Sequence, residues 1–469
     1  VAIYLNKAWQ KGLRYALALA LGYQGTKMIG RYFFKDTAQQ ALRTLLTDSY
    51  DKNLWELISA TSRYSPQIII ETSLRAKEGK VIQRPLGPAK KFPGLDQLMF
   101  NIAQLHIMPT PMETPVDTQV VIGKRCQKPL VIKLPILIAA MAYGSALSAK
   151  AKIALAKGAA MAGTAINTGD GPFLKAERES AGKLILQYNR GTWSKTPDIL
   201  QQADAIEIQF GQGASGGIGH KIESRNIDCN LRKSYGLPPG KDAATYSRQP
   251  EVNHPSELAR LVKKLKSIAG DIPVGAKIGA GKYLEKDLEW LAVADVDFIT
   301  VDGGDAAAKG SAPILQDDFG VPIIFALNRA ANFLRKHNLQ DRISLIAAGK
   351  MRTPGDALKA LALGTDAVYM GTVLLFAVSH TQVLKALPFE PPTQLLWYDG
   401  KYRHKFNVTE GATSLGNFLK SCREEIAEGV RALGKTSIKQ VDKEDLFALD
   451  ELTAQGIGVP SACQEADVP

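Results

Sequence analysis

Between Pro135 and Gly371 eight short apolar runs recur, each closed by a glycine or a polar residue and most followed by a helical pattern. In order they read "PILIAAM" (135–141), "GTAINTG" (163–169), "KLILQYN" (183–189), "AIEIQFG" (205–211), "PVGAKIGA" (273–280), "FITVDGG" (298–304), "ISLIAAG" (343–349) and "DAVYMG" (366–371). Helical patterns such as "AKAKIALAKGAAMA", "HPSELARLVKKLKSIAG" and "GDALKALALG" lie between them. Runs this short cannot cover their own faces. Alternation with helices makes them parallel strands, each returning through a helix laid on the sheet. Eight such units in about 240 residues predict an α/β protein, a (β/α)8 TIM-type barrel. An open sheet would have fewer strands and a G-x-G-x-x-G turn after its first, and "MAYGSA" is not one.

The rest of the chain divides around that unit. Residues 1–75 read as helical, including the amphipathic "AQQALRTLLTDSYDKNLWELISATSRY". Residues 76–134 are rich in Pro, Gly and Lys, which predicts extended chain wrapping a larger domain. The expected division is a helical region over 1–84, the barrel over 85–387, and a C-terminal helix and polar tail over 388–469. "LRYALALALGY" (Leu13–Tyr23) is too short to span a bilayer and reads as a buried helix. Its flanking Lys, Arg, Trp and Tyr residues leave a second reading open, in which residues 1–34 touch an anionic membrane surface. The chain opens on Val, which leaves open a segment upstream.

The formal net charge is +12, but the basic residues are dispersed and no basic run is interleaved with aromatics. A nucleic-acid partner is therefore not expected. The four cysteines, Cys126, Cys229, Cys422 and Cys463, stand far apart, and the six histidines show no ligand spacing. A protein-held metal or iron–sulfur cluster is not expected, and the setting reads as reducing and cytoplasmic. A homo-oligomer remains open.

In such a barrel the chemistry gathers where the strands end. Those ends read Ala140-Met141-Ala142, Asn167-Thr168-Gly169-Asp170, Gln187, Gln209 and Gln212, Lys277, Asp302-Gly303-Gly304, Gly349-Lys350 and Gly371-Thr372. The last two strands of these barrels often cradle a phosphate. Glycines there let backbone N–H groups reach an anion with no Cβ in the way. Lys277 interrupts an apolar run, which suits an inward lysine whose charge could balance a reduced flavin. The amides of Asn167, Gln187 and Gln212 suit a flavin's pyrimidine edge, and Ala140, Met141 and Ala142 suit its face.

At these residues the sequence resembles the FMN-binding domain of glutamate synthase, and more closely the stand-alone bacterial FMN-binding glutamate synthase family. The resemblance covers about residues 85–385 and rests on "MAYGS", "AINTGDG", "KLILQYNRGTWSKTPDILQQADAIEIQFGQGASGGIG", "GAKIGAG", "VDGGDAAAKGSAP", "AAGKMRTPGDALKALALG" and "MGT". It implies that Ala140–Ala142, Asn167, Gln187, Gln212 and Lys277 contact FMN. It puts Gly303, Gly304, Gly349, Lys350, Gly371 and Thr372 on the phosphate side. Asp170 stands where the family carries a glutamate near its keto-acid substrate.

The chain also departs from the family. Glutamate synthases place three cysteines for a 3Fe–4S cluster just after the "GT", whereas "GTVLLFAVSHTQVLKALPFEPP" has none. No glutaminase domain is expected within residues 1–134 ahead of the barrel. The family's substrate lysine in "EIKMAQGA" is here Gln209. The expected function is an FMN-dependent oxidoreductase passing a hydride at flavin N5 to an amino- or imino-acid-like substrate, from an unidentified electron donor. Lys277, Asp170 and Gln209 are its catalytic candidates. Two other readings stay open: a flavin-retaining scaffold that has lost its chemistry, and a phosphate-binding barrel without flavin.

Overall fold

Each of the eight apolar runs is a strand, and the strands are buried along almost their whole length. They are β1 (Ile136–Ile138), β2 (Ala165–Asn167), β3 (Lys183–Tyr188), β4 (Ala205–Gln209), β5 (Val274–Gly279), β6 (Phe298–Asp302), β7 (Ser344–Ala348) and β8 (Ala367–Met370). Near-continuous Val, Ile, Leu and Ala suits strands covered on both faces. Each pairs in parallel with the next, and β8 pairs with β1 through Tyr369↔Leu137, which closes the expected barrel. The computed structural model describes residues 2–50, 53 and 55–464.

The crossover helices carry their own start and stop signals. After β1, Ser148 accepts the Ala151 N–H at 3.2 Å and starts helix Ala149–Ala162. Gly163, at φ +73°, ends it. After β7, Thr353 and Asp356 form a reciprocal capping box with Pro354 at the first helical position. The longest insertion follows β4. It carries the antiparallel pair His220–Ile222 and Ala243–Thr245, and helix Cys229–Tyr235.

The C-terminal residues pack on the barrel rather than trailing from it. Helix Val408–Ala432 lies against helix Ala149–Ala162, where a Cβ on Gly158 would come within 2.7 Å of Leu415. Beyond it, Leu446–Ala448 pairs antiparallel with Leu98–Phe100, and helix Glu451–Ile457 follows. Much of the polar tail expected there is thus ordered chain. Its last five residues, 465–469, lie outside the described residues.

The chain separates into two compact units, residues 1–82 and 83–469. The first is helical: Ala2–Thr47, Trp55–Arg63 and Pro66–Glu78. The Asn53 amide closes the first helix by donating to the carbonyls of Thr44, Leu45 and Asp48 at 2.8–3.0 Å. The side chains of Leu13–Tyr23 lie outside the described residues, and with them the expected burial there. Among the described residues no helix is long and apolar enough to cross a membrane.

Candidate functional site

The alternation of β4, Ala-Ile-Glu-Ile-Gln, sends Glu207 and Gln209 to one face and the isoleucines to the other. Glu207 is fully buried and gathers the barrel's polar groups. Its Oε1 accepts from Asn167 Nδ2 at 2.9 Å and Gln187 Nε2 at 2.8 Å, and its Oε2 from the Thr300 hydroxyl at 2.7 Å. Asn167 also donates to the Tyr369 hydroxyl at 3.0 Å, so β2, β3, β4, β6 and β8 meet in one network. Burial, with Glu207 beside it, pushes the Tyr369 phenol far above its ordinary value.

One layer nearer the strand ends, Lys277 is paired in register with Gln209 on β4 and Thr300 on β6. Its ammonium lies 2.9 Å from Asp302 Oδ2, both side chains under 8 % exposed. Burial alone would lower the lysine's pKa, but the Asp302 and Glu207 carboxylates outweigh it and hold it above the usual value. Gln209 Nε2 points at Asp170 Oδ2, 3.5 Å away, and His220 Nε2 stands 3.8 Å from the same oxygen. The three catalytic candidates therefore converge at one end of the barrel.

The rim around them offers unspent donors. Among the described residues no protein acceptor receives the backbone N–H of Ala140, Met141 or Ala142 at the end of β1, nor of Gly349, Lys350, Gly371 or Thr372 at the ends of β7 and β8. Gly371 precedes helix Thr372–Ser379 and gives it no side-chain cap. A Cβ built there would touch only Ala139, at 3.5 Å, so the space beyond is open. Gly349 adopts φ +110°, a conformation that resists any side chain. Such a row of free N–H groups, with Lys350 beside it, suits a phosphate.

Two other residues in the expected phosphate group behave differently. The N–H of Gly303 donates to Ala348 O at 2.9 Å and that of Gly304 to Val321 O at 2.8 Å. These glycines shape the rim through close backbone packing, with Gly304 against Gly320, and have no donor to spare. Asn167 is similarly committed: its Oδ1 takes the Gly169 N–H at 2.9 Å while its Nδ2 serves Glu207 and Tyr369. Gln187 gives its Nε2 to Glu207, which leaves its carbonyl oxygen for a ligand. Among the described residues the Gln212 side chain makes no hydrogen bond, and its backbone brackets Gly216.

Sequence reasoning passed over Glu207 and Lys152, and named Asp302 as a strand end without giving it a role. Glu207 and Gln209 alternate with isoleucines, a signal that both face inward. Lys152 is wholly buried in helix Ala149–Ala162. Its ammonium lies 2.9 Å from Glu177 and donates to Met141 O at 2.8 Å, Asn167 O at 3.1 Å and Thr168 O at 3.2 Å, tying the ends of β1 and β2 together. Burial pushes the Glu177 carboxyl up to about 7 against the pull of Lys152.

The fold and this rim define an eightfold barrel with unpartnered backbone N–H groups at the ends of β7 and β8 and a buried lysine near the end of β5. The chain belongs to the glutamate synthase family: the family model "Conserved region in glutamate synthase" matches residues 89–436. With that family it belongs to the oxidoreductases. A glutamate synthase large subunit-like protein of Rhizobium meliloti is 31% identical over 403 residues, covering 81% of this chain and 90% of the relative. An archaeal-type glutamate synthase [NADPH] of Thermotoga sp. (strain RQ2) is 27% identical over 444 residues, 89% of this chain and 85% of the relative. Among solved structures, a doubly substituted flavocytochrome b2 with sulfite bound superposes with a TM-score of 0.50 at 18% identity, covering 80% of this chain and 83% of that one. That likeness concerns the fold alone.

Proposed function

We propose that the barrel mouth binds FMN and that the protein is an FMN-dependent oxidoreductase acting on a small nitrogen-bearing substrate. The observation that carries this reading is the set of seven unpartnered backbone N–H groups at the ends of β1, β7 and β8. Those of Gly349, Lys350, Gly371 and Thr372 would hold the phosphate, and those of Ala140–Ala142 would face the ring. Bound FMN would supply hydride transfer at its N5 atom. Lys277 would set a positive charge against the ring edge, where negative charge gathers on reduction. Asp302 keeps that lysine charged and aimed. Gln187 Oε1 and the free Gln212 side chain would meet the pyrimidine edge. Asp170 and Gln209 would orient the substrate. The names of the relatives make NADPH the electron donor to try first.

Two measurements test this. Lys277→Met should leave a folded barrel whose flavin is more weakly retained and has a more negative reduction potential. Because Asp302 would then be a buried carboxylate without its partner, Lys277→Met also costs about 3–5 kcal/mol of stability. Adding Asp302→Asn should restore most of that stability and leave the potential low. An unchanged potential in the double variant would remove Lys277 from the flavin site. Iron and acid-labile sulfide should also stay far below one per chain. Finding either near one would mean that a cluster takes part after all.

A further inference from the structure

Gln209 carries the least expected atom of the site. The residue is 1 % exposed, and its Oε1 is buried with no hydrogen-bond donor among the described residues. An amide in that state would ordinarily flip. Here the flip is blocked, because it would turn the carbonyl oxygen onto the Asp170 carboxylate, which now faces Nε2 at 3.5 Å. Asp170 thus fixes the amide with its acceptor end unsatisfied, an arrangement that costs about 1–3 kcal/mol unless a donor arrives. The Asp170 side chain is 14 % exposed and opens this corner to the mouth.

The surrounding charges favour a cationic donor. The facing groups are Asp170, Glu207, Asp302, Lys277, Arg190 and, at the rim, His220. Lys277 is neutralised by Asp302 at 2.9 Å. Arg190 spends both terminal nitrogens on the carbonyls of Gly217, Ser247 and Ile218, so it reaches no ligand through them. Among the lysine, arginine and carboxylate groups, two positive charges face three negative ones, an excess of one negative charge. Two acceptor groups, Gln209 Oε1 and the Asp170 carboxylate, stand in that field, and among the described residues no hydrogen bond from Lys277 or Arg190 reaches either of them.

We infer that Gln209 Oε1 and Asp170 form a receptor for a protonated nitrogen, so that the substrate of this site carries an ammonium or iminium group there and not a carboxylate. The inference rests on the flavin reading only for where the site lies.

The test uses the full chain with its flavin, titrated with propylammonium, its neutral analogue 1-propanol, and 2-oxoglutarate, and read from the flavin difference spectrum. Propylammonium should bind at least about tenfold more tightly than either of the others. Asp170→Asn should weaken it by about tenfold or more with flavin content unchanged. Gln209→Lys, which places an ammonium in the receptor, should abolish propylammonium binding and admit 2-oxoglutarate. Should Gln209→Lys fail to fold, Gln209→Met removes the acceptor at similar volume and should weaken propylammonium to the level of 1-propanol. Equal binding of propylammonium and 1-propanol, or propylammonium binding unaffected by these substitutions, would overturn the inference. A colourless chain that takes up no added FMN would instead overturn the flavin reading. The same titrations, read as shifts in melting temperature, would then decide the receptor separately.

Discussion

Gly371→Val should give a folded, colourless protein. The native φ at Gly371 is −122°, and a Cβ there would meet only Ala139 at 3.5 Å, so the protein itself has room for the side chain. The branched valine would fill the open space beyond, where the proposed phosphate approaches the N–H groups of Gly371 and Thr372. A loss of about 100-fold or more in FMN affinity is expected, roughly 2.8 kcal/mol. Gly364→Val is the control. Gly364 follows helix Pro354–Ala362 at φ +103°, and its Cβ would lie 2.9 Å from that of Ala331. Backbone strain and overpacking together should cost about 2–4 kcal/mol of stability there. The fraction that folds should keep its flavin. Absorbance at the flavin band per folded chain, with a urea melt for each variant, separates the two effects. A yellow Gly371→Val beside a colourless but folded Gly364→Val would put the phosphate elsewhere.

Glu207→Ala should be among the most destabilising substitutions in the barrel. It would strand Gln187 Nε2 and the Thr300 hydroxyl and leave Asn167 Nδ2 with Tyr369 alone. It would also take from Lys277 one of the two carboxylates that hold its charge most strongly. Removing one member of a buried charged network costs about 3–5 kcal/mol. Glu207→Gln keeps the shape but turns one acceptor into a donor facing donors, so about half that loss is expected. Denaturant midpoints at constant slope give both numbers. A loss under about 1 kcal/mol for the alanine variant would show that the network does not brace the barrel.

The barrel was legible because its signal is local. Each run is a few residues of apolar chain with a breaker at its end, and the eight runs correspond to β1–β8. The strand-end rule then points to the site, and Asp170, Gln209 and Lys277 do converge. What the sequence conceals is how polar groups are spent. Asn167 meets Tyr369 across 202 residues of chain, and nothing near either residue announces it. Gly303 and Gly304 look like Gly349 and Gly371 on paper, yet their N–H groups are consumed by Ala348 and Val321. Lys152 reads as one more basic residue of a helical pattern, whereas the fold turns its ammonium inward to three carbonyls. The insertion after β4, which brings His220 to the rim beside Asp170, has no periodic pattern to reveal where it folds back.

The pairing of Leu98–Phe100 with Leu446–Ala448 has a consequence for how the molecule is made. Leu98 faces Ala448, 350 residues later, and the chain between 101 and 117 leans on residues 431–445 through the N–H groups of Asn101, Ala103, Thr110 and Asp117. During synthesis the whole eightfold set of strands leaves the ribosome before these partners exist. The segment 98–117 must therefore wait, with Leu98 lacking its strand partner, until residues 431–448 emerge. Closing so long a loop costs only a little more than closing a short one, because the entropy grows with the logarithm of length. The delay is one of time. A nascent chain halted between β8 and Leu446 would carry all eight strands with this seam open, and the strand Leu446–Ala448 acts as the latch.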